Sequence, residues 1–371
     1  MNGKLFLLVL ASHLIFSGQR AVADTDPVFE LKHLWDYPVL HQDDEHPWLQ
    51  KVAFIGRYHL NFWSLDSNFG TARDWQTRRA RLGMQAVFFR DWIFDFNLNL
   101  GLEGGGRFIR SVEEVRLRWK PNPHNTLYLG RLQTRLTNEW WQASNSLDTV
   151  ERSILFPQAV HDKMWGVLWD GSHQDWLYSL GVYSASRDAD WNTPSFEGGA
   201  VFYGGIGRRF APSQSLRVDY AFQTASNKNN ATRPYQQVAT LSYDGRFETW
   251  RWRADLLYGV GLDGVPDVYG GIVYPVVTLV PERWFAVARY QWVTGQGDAP
   301  LSIPSRYDRE APDLPSTRGK DYQAVYVGLN HHLQGHQLKL QFGVEYSTAQ
   351  LSSGDRYEGW TLLSGFRFSF F

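Results

Sequence analysis

The chain of 371 residues has no cysteine and only three methionines. It can build no disulfide framework, thiolate nucleophile or thiolate metal site. No uninterrupted apolar run of about 18 residues follows the N-terminal region, so no later stretch reads as a transmembrane helix. A surplus of one charge is also missing: Lys and Arg number 37, Asp and Glu 38, and the net charge is -1. That balance gives no basis for a nucleic-acid partner, and none is expected. There is no phosphate-cradling glycine loop and no nucleophile elbow; Gly104-Gly105-Gly106 reads as a hairpin connection. Aromatic residues are abundant instead, with 17 Trp, 18 Tyr and 23 Phe, yet the mean hydropathy is polar at -0.39. A soluble core would need more aliphatic residues. Aromatic girdles around a polar interior give this mixture in a membrane barrel.

The first 23 residues have the three parts of an export leader. Lys4 supplies the positive charge, Leu5 to Phe16 the apolar run, and Ala21-Val22-Ala23 a small-residue cleavage signal before Asp24. Residues 24–50, rich in Asp, His and Pro, contain no convincing strand and read as a periplasmic lead-in. His41-Gln42-Asp43-Asp44-Glu45-His46 within it matches no standard zinc or calcium spacing, so a solvated segment is expected there. No metal or cofactor is expected.

Period-two alternation then repeats over residues 51–371. It is clearest where Trp92, Phe94, Phe96, Leu98, Leu100 and Leu102 alternate with Ile93, Asp95, Asn97, Asn99, Gly101 and Glu103. Eleven or so residues span a bilayer when tilted. Sixteen such segments lie near residues 52–63, 76–89, 92–103, 108–120, 125–133, 163–170, 175–185, 199–209, 215–225, 236–243, 247–258, 268–280, 284–294, 321–332, 337–347 and 358–371. Short turns, as at Arg90-Asp91 and Pro281-Glu282, alternate with longer loops at 64–75, 134–162, 186–198, 226–235, 259–267, 295–320 and 348–357. The 104–107 connection alone is short where a long one is due. This pattern predicts an all-β fold, a transmembrane up-and-down antiparallel β-barrel of about sixteen strands, wide enough for an aqueous channel. Fourteen or eighteen strands remain open. The last strand ends on aromatics, with Trp360, Leu362, Phe366, Phe368 and Phe370 outward and Thr361, Gly365, Arg367 and Ser369 inward.

The same phase turns many charges inward, because a charge facing lipid near mid-bilayer costs roughly 2–4 kcal/mol. The pore-lining candidates are Arg79, Arg81, Arg116, Arg118, Arg217, Arg251, Arg253 and Arg289. Arg57, Arg110, Lys339 and Arg367 also face inward in this reading. Inward acids are fewer: Asp95, Glu103, Glu114, Asp219, Asp255 and Glu345. A lumen with about twice as many bases as acids favours anions. Alternatively, Arg and Asp pair across strands to solvate the wall, as Arg253 with Asp255. The long segment 134–162, with Trp140, Trp141, Glu151 and Arg152, is the candidate for a loop folded into the pore; an extracellular cap or interface loop is the other reading.

Four motifs in this order carry a family resemblance: Arg78-Arg79-Ala80-Arg81-Leu82-Gly83, Phe89-Arg90-Asp91-Trp92, Tyr128-Leu129-Gly130-Arg131, and Thr149-Val150-Glu151-Arg152-Ser153. They resemble the phosphate-selective porin O and P family, most clearly over residues 52–170. The resemblance implies a sixteen-stranded, usually trimeric bacterial outer-membrane channel whose inward bases conduct anions. It carries Arg79, Arg81 and Arg152 over as pore or loop-anchoring residues. The chain departs from the family in having few lysines and in Gly130-Arg131-Leu132-Gln133, where a "GQFK" run is usual.

The expected function is passive diffusion of small, preferably anionic solutes, phosphate-like or other, through an Arg-lined channel. The expected partners are outer-membrane lipid, the solute and two further copies of the chain. Two other classes stay open. One is an outer-membrane enzyme with loop-borne residues such as Asp66, His161 and Asp267; the other is a structural or adhesive barrel with a plugged lumen.

Overall fold

The computed structural model describes residues 34–102, 106–160, 163–185, 196, 198–225, 233–297 and 301–370. The leader at 1–23 with its cleavage site, residues 24–33, Glu103, Gly104, Gly105, His161 and Phe371 lie outside the described residues. The strands run β1 (Val39–Gln42), β2 (Leu49–Ser67), β3 (Gly70–Phe88), β4 (Trp92–Leu100), β5 (Ile109–Asn122), β6 (Asn125–Leu132), β7 (Met164–His173), β8 (Trp176–Ser184) and β9 (Ala200–Ala211). They continue with β10 (Gln214–Gln223), β11 (Tyr235–Arg246), β12 (Trp250–Gly261), β13 (Val268–Val280), β14 (Trp284–Gly295), β15 (Leu301–Ser302), β16 (Arg318–Gln334), β17 (Leu338–Leu351) and β18 (Arg356–Phe370).

All but β1 and β15 pair in chain order, each antiparallel to the next. The sheet closes where β18 meets β2, with Phe370 opposite Gly56 and Gly359 opposite Ser67. The result is a closed sixteen-stranded antiparallel barrel, in which the backbone of every wall strand has a partner on both sides. Each of the sixteen expected segments coincides with one wall strand. Alternation in β18 holds as read: Trp360 and Leu362 are exposed, while Thr361, Arg367 and Ser369 are buried.

Three boundaries differ from the sequence reading. The expected loop 64–75 is mostly ladder, with Ser67 opposite Gly70 and a turn of only Asn68 and Phe69. Its outward residues Ser64, Asp66, Thr71 and Arg73 are polar, so the apolar half of the alternation fades although the hydrogen bonding continues. Strand pairing needs an apolar outer face only within the membrane. The expected loop 348–357 shrinks to residues 352–355 for the same reason. The lead-in, read as strandless, contains β1, which pairs with the start of β2 (Val39 opposite Ala53). Trp35 lies beyond it, buried; its indole N–H donates to the Ser369 carbonyl at 2.7 Å.

The interior is not uniformly polar. Tyr203 of β9, Val238 of β11, Leu257 of β12, and Val268 and Ile272 of β13 are buried in one apolar cluster with Leu155 and Phe156. The latter two belong to a short helix, Leu155–Ala159, in the 134–162 segment, which packs on β13 and β14. One side of the barrel is therefore filled like a soluble core.

Gly130 of β6 has φ of +126°, and a Cβ there would lie 2.1 Å from the Val115 carbonyl oxygen of β5. Both the conformation and the space require glycine. Gly130→Val is expected to prevent β5–β6 pairing and barrel closure. The check is electrophoresis without boiling, where the variant migrates as unfolded chain while the parent migrates as compact barrel.

Candidate functional site

Two bulges shape the inner wall of β2–β5. His59 pairs with Arg79 and Leu60 with Thr77, which leaves Arg78 as an extra residue. Asn97 pairs with Glu114 and Leu98 with Val112, which leaves Glu113 extra. A bulge puts two residues against one and so lets neighbours share a face. Arg78 and Arg79 both line the interior, as do Glu113 and Glu114. Strict alternation finds only one of each pair. Arg110, expected inside, sits in a further shift of β5 and is exposed.

The segment between β6 and β7 folds into the lumen. Its polar backbone enters a low-dielectric interior, so its groups need partners, and inward side chains provide them. Lys339 and Gln341 of β17 donate to the Leu147 carbonyl at 2.6 and 3.0 Å. Asn330 of β16 donates to the Asp148 carbonyl at 2.8 Å, and Arg367 of β18 to the Val150 carbonyl at 2.9 Å. Arg289 of β14 donates to the Glu151 carbonyl at 2.7 Å and pairs with Glu345 at 2.8 Å and Glu139 at 3.4 Å. Asp255 of β12 accepts from the backbone N–H groups of Asn138 and Glu139 at 3.0 and 3.1 Å, at the start of the helix Asn138–Trp141. The Arg253–Asp255 pair offered as the alternative is not made. Arg253 instead binds Asp244 at 2.7 Å and lies 3.7 Å from Asp148, which Arg251 also holds.

Anchored in this way to the far wall and to β18, the loop leaves a passage against β2–β6. The cavity there has a volume of about 760 Å³. Arg57, Arg79 and Arg81 line it on the strand side, Trp140, Trp141 and Arg152 on the loop side, and Arg306, Tyr307 and Arg309 at the end formed by the β14–β16 connection. Ten basic and five acidic residues line it altogether. Several are paired: Arg78 with Glu151 at 2.6 Å, Arg81 and Lys163 with Glu113 at 2.9 Å each, and Arg116 with Glu114 and Asp95 at 2.9 Å each. Others have no carboxylate within ion-pair distance among the described residues. Arg57 donates to the Ser144 hydroxyl at 2.6 Å, Arg152 to the Glu139 and Gln142 carbonyls, and Arg309 to the Pro304 and Ser302 carbonyls.

Of the eight strand arginines selected from sequence, Arg79, Arg81, Arg116 and Arg289 line this cavity. The other four turn inward elsewhere. Arg118 pairs with Asp95 at 2.9 Å, Arg217 with Asp219 at 2.8 Å, and Arg251 and Arg253 hold the loop through Asp148. Both loop residues, Glu151 and Arg152, line the cavity. Sequence reading left out Arg306 and Arg309, which carry no strand periodicity, and Glu113 and Lys163, which strict alternation does not place. The adjacent pairs Arg78-Arg79 and Glu113-Glu114 within strands were the available signal, since like charges side by side in a wall strand imply a bulge. Asp66 on β2 and Asp267 beside β13 are not brought together: Asp267 accepts from the Tyr258 hydroxyl and the Gly261 N–H across the barrel.

A closed sixteen-stranded barrel with an apolar outer face and a passage beside an inserted loop defines a porin-type channel. A model of phosphate-selective porin O and P matches residues 52–248, and the chain belongs to that family. Solved structures agree on the fold. OmpT of Vibrio cholerae, folded in vitro, superposes with a TM-score of 0.56 at 11% identity, covering 89% of this chain and 99% of that one. OprB of Pseudomonas putida gives 0.59 at 9% identity over 86% and 94%. The channel DcaP of Acinetobacter baumannii gives 0.53 at 11% over 86% and 97%. No curated protein sequence matches. The protein is an outer-membrane porin, resident in the bacterial outer membrane.

The Arg78–Glu151 pair ties loop to wall. Burial works to raise the Glu151 carboxyl, but Arg78, Arg79 and Arg306 overcome it and hold the group well below the usual carboxylate range. A carboxylate lowered by folding adds stability that is complete above its unfolded value of 4.5 and is lost as pH falls through the folded value. Glu151→Gln is expected to lower thermal stability, by about 3 kcal/mol at neutral pH, because Arg78 loses its counter-charge. The difference in melting temperature between parent and variant, in detergent, should stay constant from pH 8 to pH 6 and shrink only below the unfolded value.

Proposed function

We propose that this porin is a passive channel with a preference for small anions, acting by diffusion and without a catalytic step. One observation carries the reading: Arg57, Arg79, Arg152, Arg306 and Arg309 face a single passage with no carboxylate partner among the described residues. A guanidinium stays protonated at neutral pH even where burial works against its charge, and its planar donors suit phosphate, sulfate or carboxylate oxygens. Anions enter such a field, and cations are repelled over about one Debye length, ~8 Å at physiological ionic strength. The paired arginines contribute less, because each already shares its charge with an acid. Residues 1–23 serve as the export leader, removed after Ala23, and residues 24–50 form the lead-in at the periplasmic end.

A trimeric assembly is part of the proposal. It is supported by the family and by the trimer form described for OmpT of Vibrio cholerae. Detergent-solubilised protein is expected to sediment with three copies of the 42.8 kDa chain, less the leader.

Planar-bilayer recording tests the selectivity. Under a KCl gradient the reversal potential should lie toward chloride. The double variant Arg57→Glu/Arg79→Glu reverses two charges within one Debye length of the passage, and should lower the chloride-to-potassium permeability ratio at least about threefold. Cation preference in the parent protein, or no conductance from correctly folded barrels, would overturn the proposal.

A further inference from the structure

The inserted loop distributes its aromatic residues unevenly. Phe156 is fully buried in the apolar side of the barrel. Trp140 and Trp141 pack against the same apolar cluster but are only half-buried, and they also line the charged passage. Neither sits on the outer face, so an aromatic girdle does not account for them. Packing on the cluster covers part of each indole, and the part left uncovered faces the passage.

These rings are paired with guanidiniums. Arg152 lies 5.5 Å over Trp140, and Arg116 5.8 Å over Tyr128. Tyr128 meets Trp141 edge-on at 6.4 Å between centroids, and all three rings line the cavity. One face of Trp141 is occupied by Arg135 at 4.3 Å. Across the passage Arg57 and Arg79 are close enough to Arg152 to interact electrostatically. Trp140 thus stands beside a group of arginines that have no carboxylate partner among the described residues.

We infer that the passage contains a subsite for carboxylates borne on an aromatic ring, the ring resting on Trp140 and Trp141 and the carboxylate on Arg152 and Arg57. This rests on the anion-channel reading and names a solute class for it. Ring on indole gains from offset or edge contact, and the guanidinium takes the carboxylate in two parallel hydrogen bonds. A saturated ring of equal size offers the hydrophobic contact without the π-face, and acetate offers the charge alone.

The probes are sodium benzoate, cyclohexanecarboxylate, acetate and inorganic phosphate, added to the parent channel while it carries chloride in a planar bilayer. Benzoate is expected to halve the current at a concentration at least about fivefold lower than acetate, and lower than cyclohexanecarboxylate. In Trp140→Ala the benzoate-to-acetate ratio should fall toward one, read within each channel so that altered conductance cancels. If benzoate and acetate act alike in a channel that prefers chloride, this inference fails while the anion reading stands. Stronger block by phosphate than by benzoate, or an unchanged ratio in both Trp140→Ala and Trp141→Ala, also overturns it. Loss of chloride preference in the parent would instead remove the anion reading itself.

Discussion

Arg289 is bound to four parts of the molecule from one position on β14. Its guanidinium reaches Glu345 on β17, Glu139 in the short helix, the Thr149 hydroxyl and the Glu151 carbonyl. Side chain and partners are almost completely buried. A cation so placed is stable only if its acids and carbonyls stay in position, because removing one partner leaves an uncompensated charge in low dielectric. The geometry of the loop depends on this. Residues 139–153 must cross the lumen at the height and angle that bring Glu139 and the Glu151 carbonyl to Arg289. The loop then divides the barrel, with an apolar cluster behind it and a polar passage in front.

That division explains why the wall differs from side to side. On β9–β14, a group of inward Val, Leu, Ile and Tyr side chains packs with Leu155 and Phe156 in one apolar cluster, alongside inward charges such as Arg217, Asp255 and Arg289 that pair with acids or with the loop. On β2–β5, many inward positions are Arg, Asn, Asp and Glu, and the bulges at Arg78 and Glu113 add charge where alternation would have turned it outward. The loop is amphipathic about its own path, and each wall is matched to the face it meets. Many inward bases are structural in consequence. Arg367, Arg289, Arg251 and Lys339 hold backbone carbonyls or Asp148, and the basic charge that faces the passage with no carboxylate partner among the described residues is the smaller set around Arg57, Arg79 and Arg152.

The barrel was legible in the sequence because each strand must satisfy lipid outside and water or loop inside, residue by residue. Trp92 to Leu100 shows this requirement in five consecutive outward side chains. The pairing partners of the inward charges were not legible. A single inserted residue at Arg78 or Glu113 moves a side chain to the other face without changing the composition around it. Nor could alternation distinguish Arg79, which faces the passage, from Arg253, which holds the loop: both are inward arginines, and the difference lies in a segment more than 60 residues away for the one and about 100 for the other. The paired upper strands β2 and β3 were hidden for a different reason, since above the membrane the outer face has no apolar requirement.

The Trp35 contact has a meaning for the order in which the molecule assembles. Its indole bonds the Ser369 carbonyl and its ring lies 6.1 Å from Phe368, on the strand that closes the barrel. The β2–β18 ladder joins segments separated by nearly the whole chain, and such distant pairings carry the largest ordering entropy to form. Trp35 docks on the carbonyl of a strand that reaches its place only when that ladder exists. The lead-in therefore acts as a clasp over the seam, engaged by closure and holding shut the one junction that hairpin neighbours do not bring together.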